Sequence, residues 1–466
     1  MNGRSSPLMH RVKRLHMRGV GGAGMSGIAA VLCNLGYKVS GSDMEASGNT
    51  ERLRKMGVSI ESHHNAAHVL GSDVVVYSSA IKDDNVELRA ARNERIPIVP
   101  RAEMLAELMR FQQGIAVAGT QGKTTTTSRI AAVMAEAGQD PTFIVGGLVQ
   151  SVNAHAKLGT GQYLVAEADE SDGSFLLLQP LIAVLTNIDE DHMGTYEGDF
   201  FKLLDTYGRF LRRLPFYGVA CICADDEKAM SLIPEIRSRV VTYGFSRKAD
   251  VRAYSVSQIS GREYFKVKGI YGEFKQEFEL NLPGYHNVQN ALGAITVALE
   301  LGLDVRSINS SLSKFEGIAR RWQIYEKVCL AGREVTVFAD YGHHPRELQV
   351  VFETIRRCYP DKRLIVVFQP HRYTRTRDLF DDFANVLSEI EILILLEVYP
   401  AGEKPISNAD SRALSKGIRA RGLVEPIFLD DESNLTFTLS RLVEDGDVIA
   451  MLGAGNIGRL TESLVA

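Results

Sequence analysis

Apolar residues fall along the chain in short runs, each followed by a turn and then by a longer stretch with helical spacing. Residues 15–20 predict a strand, 23–35 a helix, 37–40 a second strand and 74–78 a further one. The rhythm restarts at 115–118 with a strand, then a helix over 123–137 and strands near Leu164 and Val184. Strands alternating with helices of this length imply an α/β protein built on parallel sheets. From 251 to 280 the segments shorten and alternate between turns, as in hairpins of a small antiparallel sheet. A third alternation runs from Val335 to the end, with apolar strands at 364–368, 392–396 and 448–452. The expected divisions are residues 1–112, 113–321 and 322–466, with no fixed-period repeat and no low-complexity linker to mark them.

Composition agrees with several packed cores. The chain has 466 residues, too many for one ordinary core. Hydrophobic residues make up 45% and charged residues 24%, which is globular rather than disordered. The net charge of −4 lacks the basic excess of a nucleic-acid-binding surface. The five cysteines, Cys33, Cys221, Cys223, Cys329 and Cys358, have no CxxC pair and read as reduced and mostly buried. Arg4, Arg11, Lys13, Arg14 and Arg18 precede an apolar segment, like the start of an export signal. Glycines break that segment between Gly19 and Gly27, and a strand-like YKVSGSD follows instead of a cleavage site, so a cytoplasmic protein without membrane insertion is expected.

Two glycine-rich turns carry candidate chemistry. Gly22-Ala23-Gly24-Met25-Ser26-Gly27 is a GxGxxG between a strand and a helix, and Asp43 ends the next strand. Such glycines let backbone approach a pyrophosphate at the helix N-terminus, and the acid can hold a ribose hydroxyl. A dinucleotide, a nucleotide-sugar or a merely structural turn all satisfy it. A second GxGxxG at Gly453, Gly455 and Gly458 reads as structural, because no acidic partner follows it. The other turn, Gly119-Thr120-Gln121-Gly122-Lys123-Thr124, follows an apolar strand and opens a helix. Its backbone N–H groups can cradle phosphates, its lysine can neutralise β/γ charge, and the Thr124 hydroxyl can ligate Mg²⁺. Val117 stands where the usual GxxxxGK[ST] pattern has glycine.

AGTQGKTTTT resembles the short phosphate loop of the Mur ligases and folylpolyglutamate synthetases. GVGGAGMSGIA, AEADESD, TNIDEDHM, PGYHNVQNALGA, ARR, DYGHHP and QPHRYTRTRDL then follow in Mur ligase order, most like its alanine-adding branch. The resemblance implies a Rossmann-like N-terminal domain for a UDP-sugar and a central P-loop ATPase domain carrying the small antiparallel sheet. It implies a Rossmann-like C-terminal domain for the amino acid. The implied reaction is ATP-dependent joining of L-alanine to the lactyl carboxylate of UDP-N-acetylmuramate through an acyl phosphate, in peptidoglycan precursor synthesis.

It also implies roles. Gly119, Thr120, Gln121, Gly122, Lys123, Thr124 and Thr125 would hold ATP phosphates, with His286, Asn287, Asn290, Arg321 (or Arg320) and Asp340 on the rest of the nucleotide. Thr124, Glu167 and His192 would ligate Mg²⁺, as two ions, with Mn²⁺ a possible substitute. Gly22, Gly24, Met25, Ser26, Gly27, Asp43, Ser78 and Ser79 would hold the UDP-sugar. Tyr341, His343, Arg372 and Arg375 would hold carboxylates of alanine and muramate, and Lys123, Glu167, His192 and His343 would serve catalysis. Partners are small molecules, in a monomer or weak homodimer. On residues alone, His192 could be an ordinary loop histidine, 286–290 a helix cap, the arginines a surface cluster, and Asp169, Glu170 and Asp172 a solvated acidic turn. Gln121, Ala339 and Trp322 depart from the family's histidine, aspartate and phenylalanine. An NAD-dependent oxidoreductase leaves GTQGKT unexplained, a non-catalytic scaffold leaves Lys123, Glu167 and His192 unexplained, and a tripeptide-adding relative differs over 369–379.

Overall fold

The computed structural model describes residues 9–78, 81, 84–152 and 154–465, so Ser79 lies outside the described residues. Three sheets organise them. The first is wholly parallel, in the order Ser59–Glu61, Lys38–Ser42, Arg14–Arg18, Val74–Tyr77, Ile98–Pro100. Strand order reverses between Arg14–Arg18 and Val74–Tyr77, which opens a crevice at their carboxyl ends. The first strand stops before apolar Val20, because Gly19 and Val20 both turn their N–H groups to the carbonyl of Ser42. Helix Ala23–Asn34 follows directly.

The second sheet has eleven strands, and its centre runs Val219–Cys223, Ile182–Leu185, Gln113–Ala118, Tyr163–Glu167, Thr142–Val149. The segments over 251–280 are not a separate antiparallel sheet but an extension of this one. Tyr243 and Gly244 pair in parallel with Val251 and Arg252, and the hairpins continue outward from there. The apolar face decides it: Val251, Ala253, Phe265, Val267, Phe278 and Leu280 share one core with Ile115 and Val117. The third sheet is parallel apart from Gln323–Leu330, an antiparallel edge strand against Arg333–Asp340. Its alternation is illegible in sequence, since the register shifts between Tyr325 and Val328 and Lys327 takes φ +54°.

Contacts divide the chain into two compact units: residues 1–257, 263–281 and 287–316 in one, and 258–262, 282–286 and 317–466 in the other. The first two sheets therefore share a unit. Gly27 shows how closely they pack: a Cβ there would lie 3.2 Å from both Ala156 and Ile144 side chains. All five cysteines are free, but only Cys221 and Cys223 are buried; Cys33 and Cys358 are half-buried and Cys329 is exposed. Among the described residues no helix is long and apolar enough to cross a membrane.

A buried charge network underlies the first sheet. Glu87 is fully buried, accepts from Ser42 Oγ at 2.7 Å and sits 3.0 Å from His68 Nδ1, 3.5 Å from His16 Nε2 and 3.4 Å from Arg18 Nε. Burial opposes its charge, but hydrogen bonds from His16, Ser42 and His68 outweigh burial and hold the carboxyl down at about 2. Glu87→Ala leaves Arg18 without this partner and should lower unfolding free energy by about 3 kcal/mol in urea denaturation at neutral pH. The carboxyl's contribution is present above its ordinary range and should fade as pH falls toward 2. An unchanged denaturation midpoint in the variant would refute this role.

Candidate active site

Strand Gln113–Ala118 lies between Tyr163–Glu167 and Ile182–Leu185, so three carboxyl ends converge on one edge. The turn after the middle strand is the glycine loop, and the residues that follow Ile182–Leu185 hold it. Thr120 accepts from Asp189 N at 2.8 Å, and Gln121 N donates to Asn187 Oδ1 at 2.8 Å. The carbonyl of Gln121 accepts from Thr186 Oγ1 at 2.6 Å and Asn187 Nδ2 at 3.1 Å. Gly119 sits at φ +131°, where a Cβ would meet Thr186 Oγ1 at 2.0 Å; Gly122 sits at φ +81°, where one would meet Asn290 Oδ1 at 2.3 Å. Neither position admits a side chain. The loop opens helix Lys123–Glu136, whose start favours anions.

Charge gathers beside it. Lys123 Nζ donates to the carbonyls of Gly119 and Thr120 at 2.5 and 3.0 Å and to Glu170 at 2.9 Å. Glu170 is 2% exposed, so the solvated-turn reading fails for it, and burial pushes its carboxyl up to about 7 against the pull of Lys123. Glu167 accepts from Gly146 N at 2.6 Å and from the Thr124 hydroxyl, and burial raises its carboxyl above the usual range. The expected pair of metal ligands, Thr124 and Glu167, is thus brought together. His192 begins the turn Met193–Tyr196 at φ +54°, with its backbone N on Asp191 Oδ1 at 2.8 Å. Among the described residues no three His, Cys, Asp or Glu side chains form a ready metal cage. A half-buried carboxylate touching a hydroxyl beside a phosphate loop fits Mg²⁺, which keeps waters and takes its remaining oxygens from substrate phosphate.

The first glycine turn is tightened by Asp43, whose Oδ2 accepts from Gly21 N at 2.8 Å and whose Oδ1 accepts from Glu45 N at 3.1 Å. Ser78 borders it across the crevice: a Cβ on Gly19 would lie 3.4 Å from Ser78 Cβ. Gly22 is the helix N-cap, and a Cβ on Gly24 would lie 2.8 Å from the guanidinium of Arg101. Arg101 in turn pairs with Asp169 at 3.0 Å. Met25 and Ser26 are buried, Met25 in the core and Ser26 Oγ on the carbonyl of Ala23, while Gly27 packs on Ala156. The Met25 side chain thus faces packing and the Ser26 hydroxyl its own helix turn.

Helix Tyr285–Glu300 carries the expected amides on its first turns. Asn290 borders Gly122 and accepts from Thr126 Oγ1 at 3.3 Å, but Asn287 is buried and holds Arg129 through its carbonyl and its Oδ1. His286 is half-buried, and Thr125 is buried. In the C-terminal unit, Asp340 accepts from Trp322 N and Gly342 N, each at 2.8 Å, and burial raises its carboxyl. Arg320 is spent on the second GxGxxG, donating to the carbonyls of Gly453 and Gly455 at 2.6 and 3.1 Å. Arg321 lies 3.6 Å from Glu347, and both guanidiniums lie about 5 Å from the Tyr341 ring centre. His343 Nδ1 lies 2.9 Å from the carbonyl of Tyr341, and its ring meets His371 edge-on at 5.7 Å. Arg375 is buried with Nη1 3.4 Å from His371 Nδ1, so it is no surface cluster; Arg372 is exposed. Burial and the neighbouring His343 and Arg375 hold the His371 imidazole neutral, its pKa down to about 3.

Comparison with known proteins matches three models along the chain: the Mur ligase family catalytic domain at 14–113, the Mur ligase middle domain at 117–298 and the Mur ligase glutamate ligase domain at 320–455. A UDP-N-acetylmuramate–L-alanine ligase of Methylococcus capsulatus is 53% identical over 456 residues, covering 98% of this chain and 96% of its own. The chain belongs to the Mur ligase family. The crystal structure of UDP-N-acetylmuramate-alanine ligase MurC from Thermotoga maritima superposes with a TM-score of 0.81 at 28% identity, covering 97% of this chain and 98% of that one. A murein peptide ligase from Psychrobacter arcticus shares the fold at a TM-score of 0.72 and 24% identity, with 97% and 98% covered. The three-domain α/β architecture of Mur ligases is therefore present here.

Within this Mur ligase, sequence reasoning passed over the residues that shape the loops. Thr186, Asn187 and Asp189 lie in the same TNIDEDHM segment as His192, and their only local signal is a polar run directly after a buried strand. Arg101 carries no local signal, because its partner Asp169 is distant in sequence, and the pairing of Glu170 with Lys123 is hidden for the same reason. Gly119→Ala should weaken adenine-nucleotide binding at least about a hundredfold, since positive φ and a clash with the neighbouring strand both forbid the methyl. Gly24→Ala should be milder, because only the flexible end of Arg101 must move. Calorimetric titration of both variants checks the ranking, and the reverse order would contradict it.

Proposed function

We propose that this chain joins L-alanine to the lactyl carboxylate of UDP-N-acetylmuramate using ATP, as a step of peptidoglycan precursor synthesis. The observation that carries the reading is the loop Gly119–Thr124 with Lys123 inside it and Glu167 against Thr124. The ligase of Methylococcus capsulatus, similar over nearly the whole chain, gives the reading its substrates.

A free carboxylate does not form an amide in water, because its oxygen leaves poorly. ATP solves this in two transfers. The muramate carboxylate attacks the γ-phosphorus, ADP leaves, and an acyl phosphate results; the amine of alanine then attacks the acyl carbon, loses a proton and expels phosphate. In this reading backbone N–H groups of 122–124 and the Lys123 ammonium stabilise charge on the transferring phosphoryl group, since the N–H groups of Thr120 and Gln121 are donated to Asn187. Mg²⁺, held by Thr124 and Glu167 with His192 as a further ligand, would offset phosphate charge. Asn290 lies where it can meet the nucleotide beside Gly122, whereas Asn287 acts through the fold. Gly22, Gly24, Asp43 and Ser78 frame the UDP-sugar crevice, and Tyr341, His343 and Arg375 offer donors to carboxylates, with exposed Arg372 near them in sequence.

Phosphate release from ATP with UDP-N-acetylmuramate, with and without L-alanine, tests the assignment; release indifferent to both substrates would overturn it. Lys123→Ala should lower turnover at least about 10³-fold while UDP-sugar binding survives. Asp43→Asn should raise KM for UDP-N-acetylmuramate and spare KM for ATP, since Asp43 clamps the first turn alone. Gln121 is held by its backbone, so Gln121→His should change kcat/KM by less than about tenfold. A restoration of several orders of magnitude by that histidine would make the side chain catalytic.

A further inference from the structure

An ammonium has three donors, and those of Lys123 are all committed: one to the Gly119 carbonyl, one to that of Thr120 and one to Glu170, whose two oxygens each lie 2.9 Å from Nζ. No donor remains for a phosphate until one of these bonds breaks. The two carbonyls belong to the loop itself and stay beside the lysine wherever the loop goes. Glu170 is the charged competitor, and it is nearly sealed from water.

The main chain at Glu170 is also anchored. Its carbonyl accepts from the Tyr196 hydroxyl and from Gly173 N at 3.0 Å. The preceding residue, Asp169, is tied to Arg101 at 3.0 Å and to Ser171 N at 3.1 Å. A buried carboxylate whose cation turns to phosphate loses its counter-ion, which is strongly unfavourable.

We propose that Glu170 is a positioning residue that parks Lys123 on its own loop, and that an incoming nucleotide must displace it, so this carboxylate sets nucleotide affinity. The proposal rests on the ATP-dependent reading above. It separates two tasks for acidic groups only three residues apart: Glu167 faces Thr124, and Glu170 faces Lys123.

Glu170→Gln keeps the shape and an acceptor while removing the charge. With EDTA present, ADP should bind this variant about tenfold more tightly than wild type, while the dissociation constant for UDP-N-acetylmuramate stays unchanged. Thermal melting of the variant confirms that it is folded. Unchanged or weaker ADP binding would overturn the proposal. So would a loss of Mg²⁺–ATP binding with metal-free ADP binding unaffected, since Glu170 would then be a metal ligand. If Glu170→Gln does not fold, Tyr196→Phe decides: loosening the carbonyl lets Glu170 move with the lysine, and ADP should bind about two- to threefold more tightly. No shift in that variant counts against the proposal. A wild-type protein that binds no adenine nucleotide at all would instead refute the ATP-dependent reading.

Discussion

A loop that offers its backbone N–H groups to an anion must have its carbonyls satisfied elsewhere, and that constraint shapes the centre of this molecule. Here the neighbouring strand does the work. Thr186 and Asn187 take the Gln121 carbonyl and Asn187 takes its N–H, while Asp189 engages Thr120. The fit is close enough that Gly119 and Gly122 have no room for a side chain and need backbone angles that other residues avoid. The strand order therefore matters chemically: only with Ile182–Leu185 beside Gln113–Ala118 can the following residues reach the loop.

Around that rigid turn the structure alternates charges instead of pooling them. Arg101 meets Asp169, and the adjacent Glu170 meets Lys123, so a chain of ion pairs runs from the first glycine turn to the second. The first two sheets can share such a chain because they share a compact unit, joined where Gly27 packs on Ala156. Arg129 shows the same economy deeper in: it is fully buried, burial drags its guanidinium down to about 9, and Asn287 receives it. An amide that a motif marks for ligand recognition here holds the helices together.

The C-terminal unit treats its basic residues differently. Arg320 and Arg321 flank the Tyr341 ring, Arg320 bonds the turn at Gly453 and Gly455, and a Cβ on Gly458 would lie 2.7 Å from its Nε. The second GxGxxG is thus a seat for an arginine and not a cradle for phosphate. His371 stacks on Tyr399 and stays neutral between His343 and Arg375, which spares Arg375 the repulsion of a second cation beside it.

Periodicity and turn chemistry alone determined the α/β class, the strand-turn-helix placement of both glycine loops, and the roles open to Lys123 and Thr124, because these depend on residues adjacent in the chain. Motif order added the family, which covers almost every residue. Only the tertiary structure decided what each motif residue touches. It turned Met25, Ser26 and Gly27 into packing, sent Asn287 to Arg129 and Arg320 to the Gly453 turn, merged the hairpins after Val251 into the central sheet, and buried Glu170 against Lys123. The reason is common to most of them: burial and pairing are set by partners tens to hundreds of residues away, and local spacing carries no information about which distant side chain arrives.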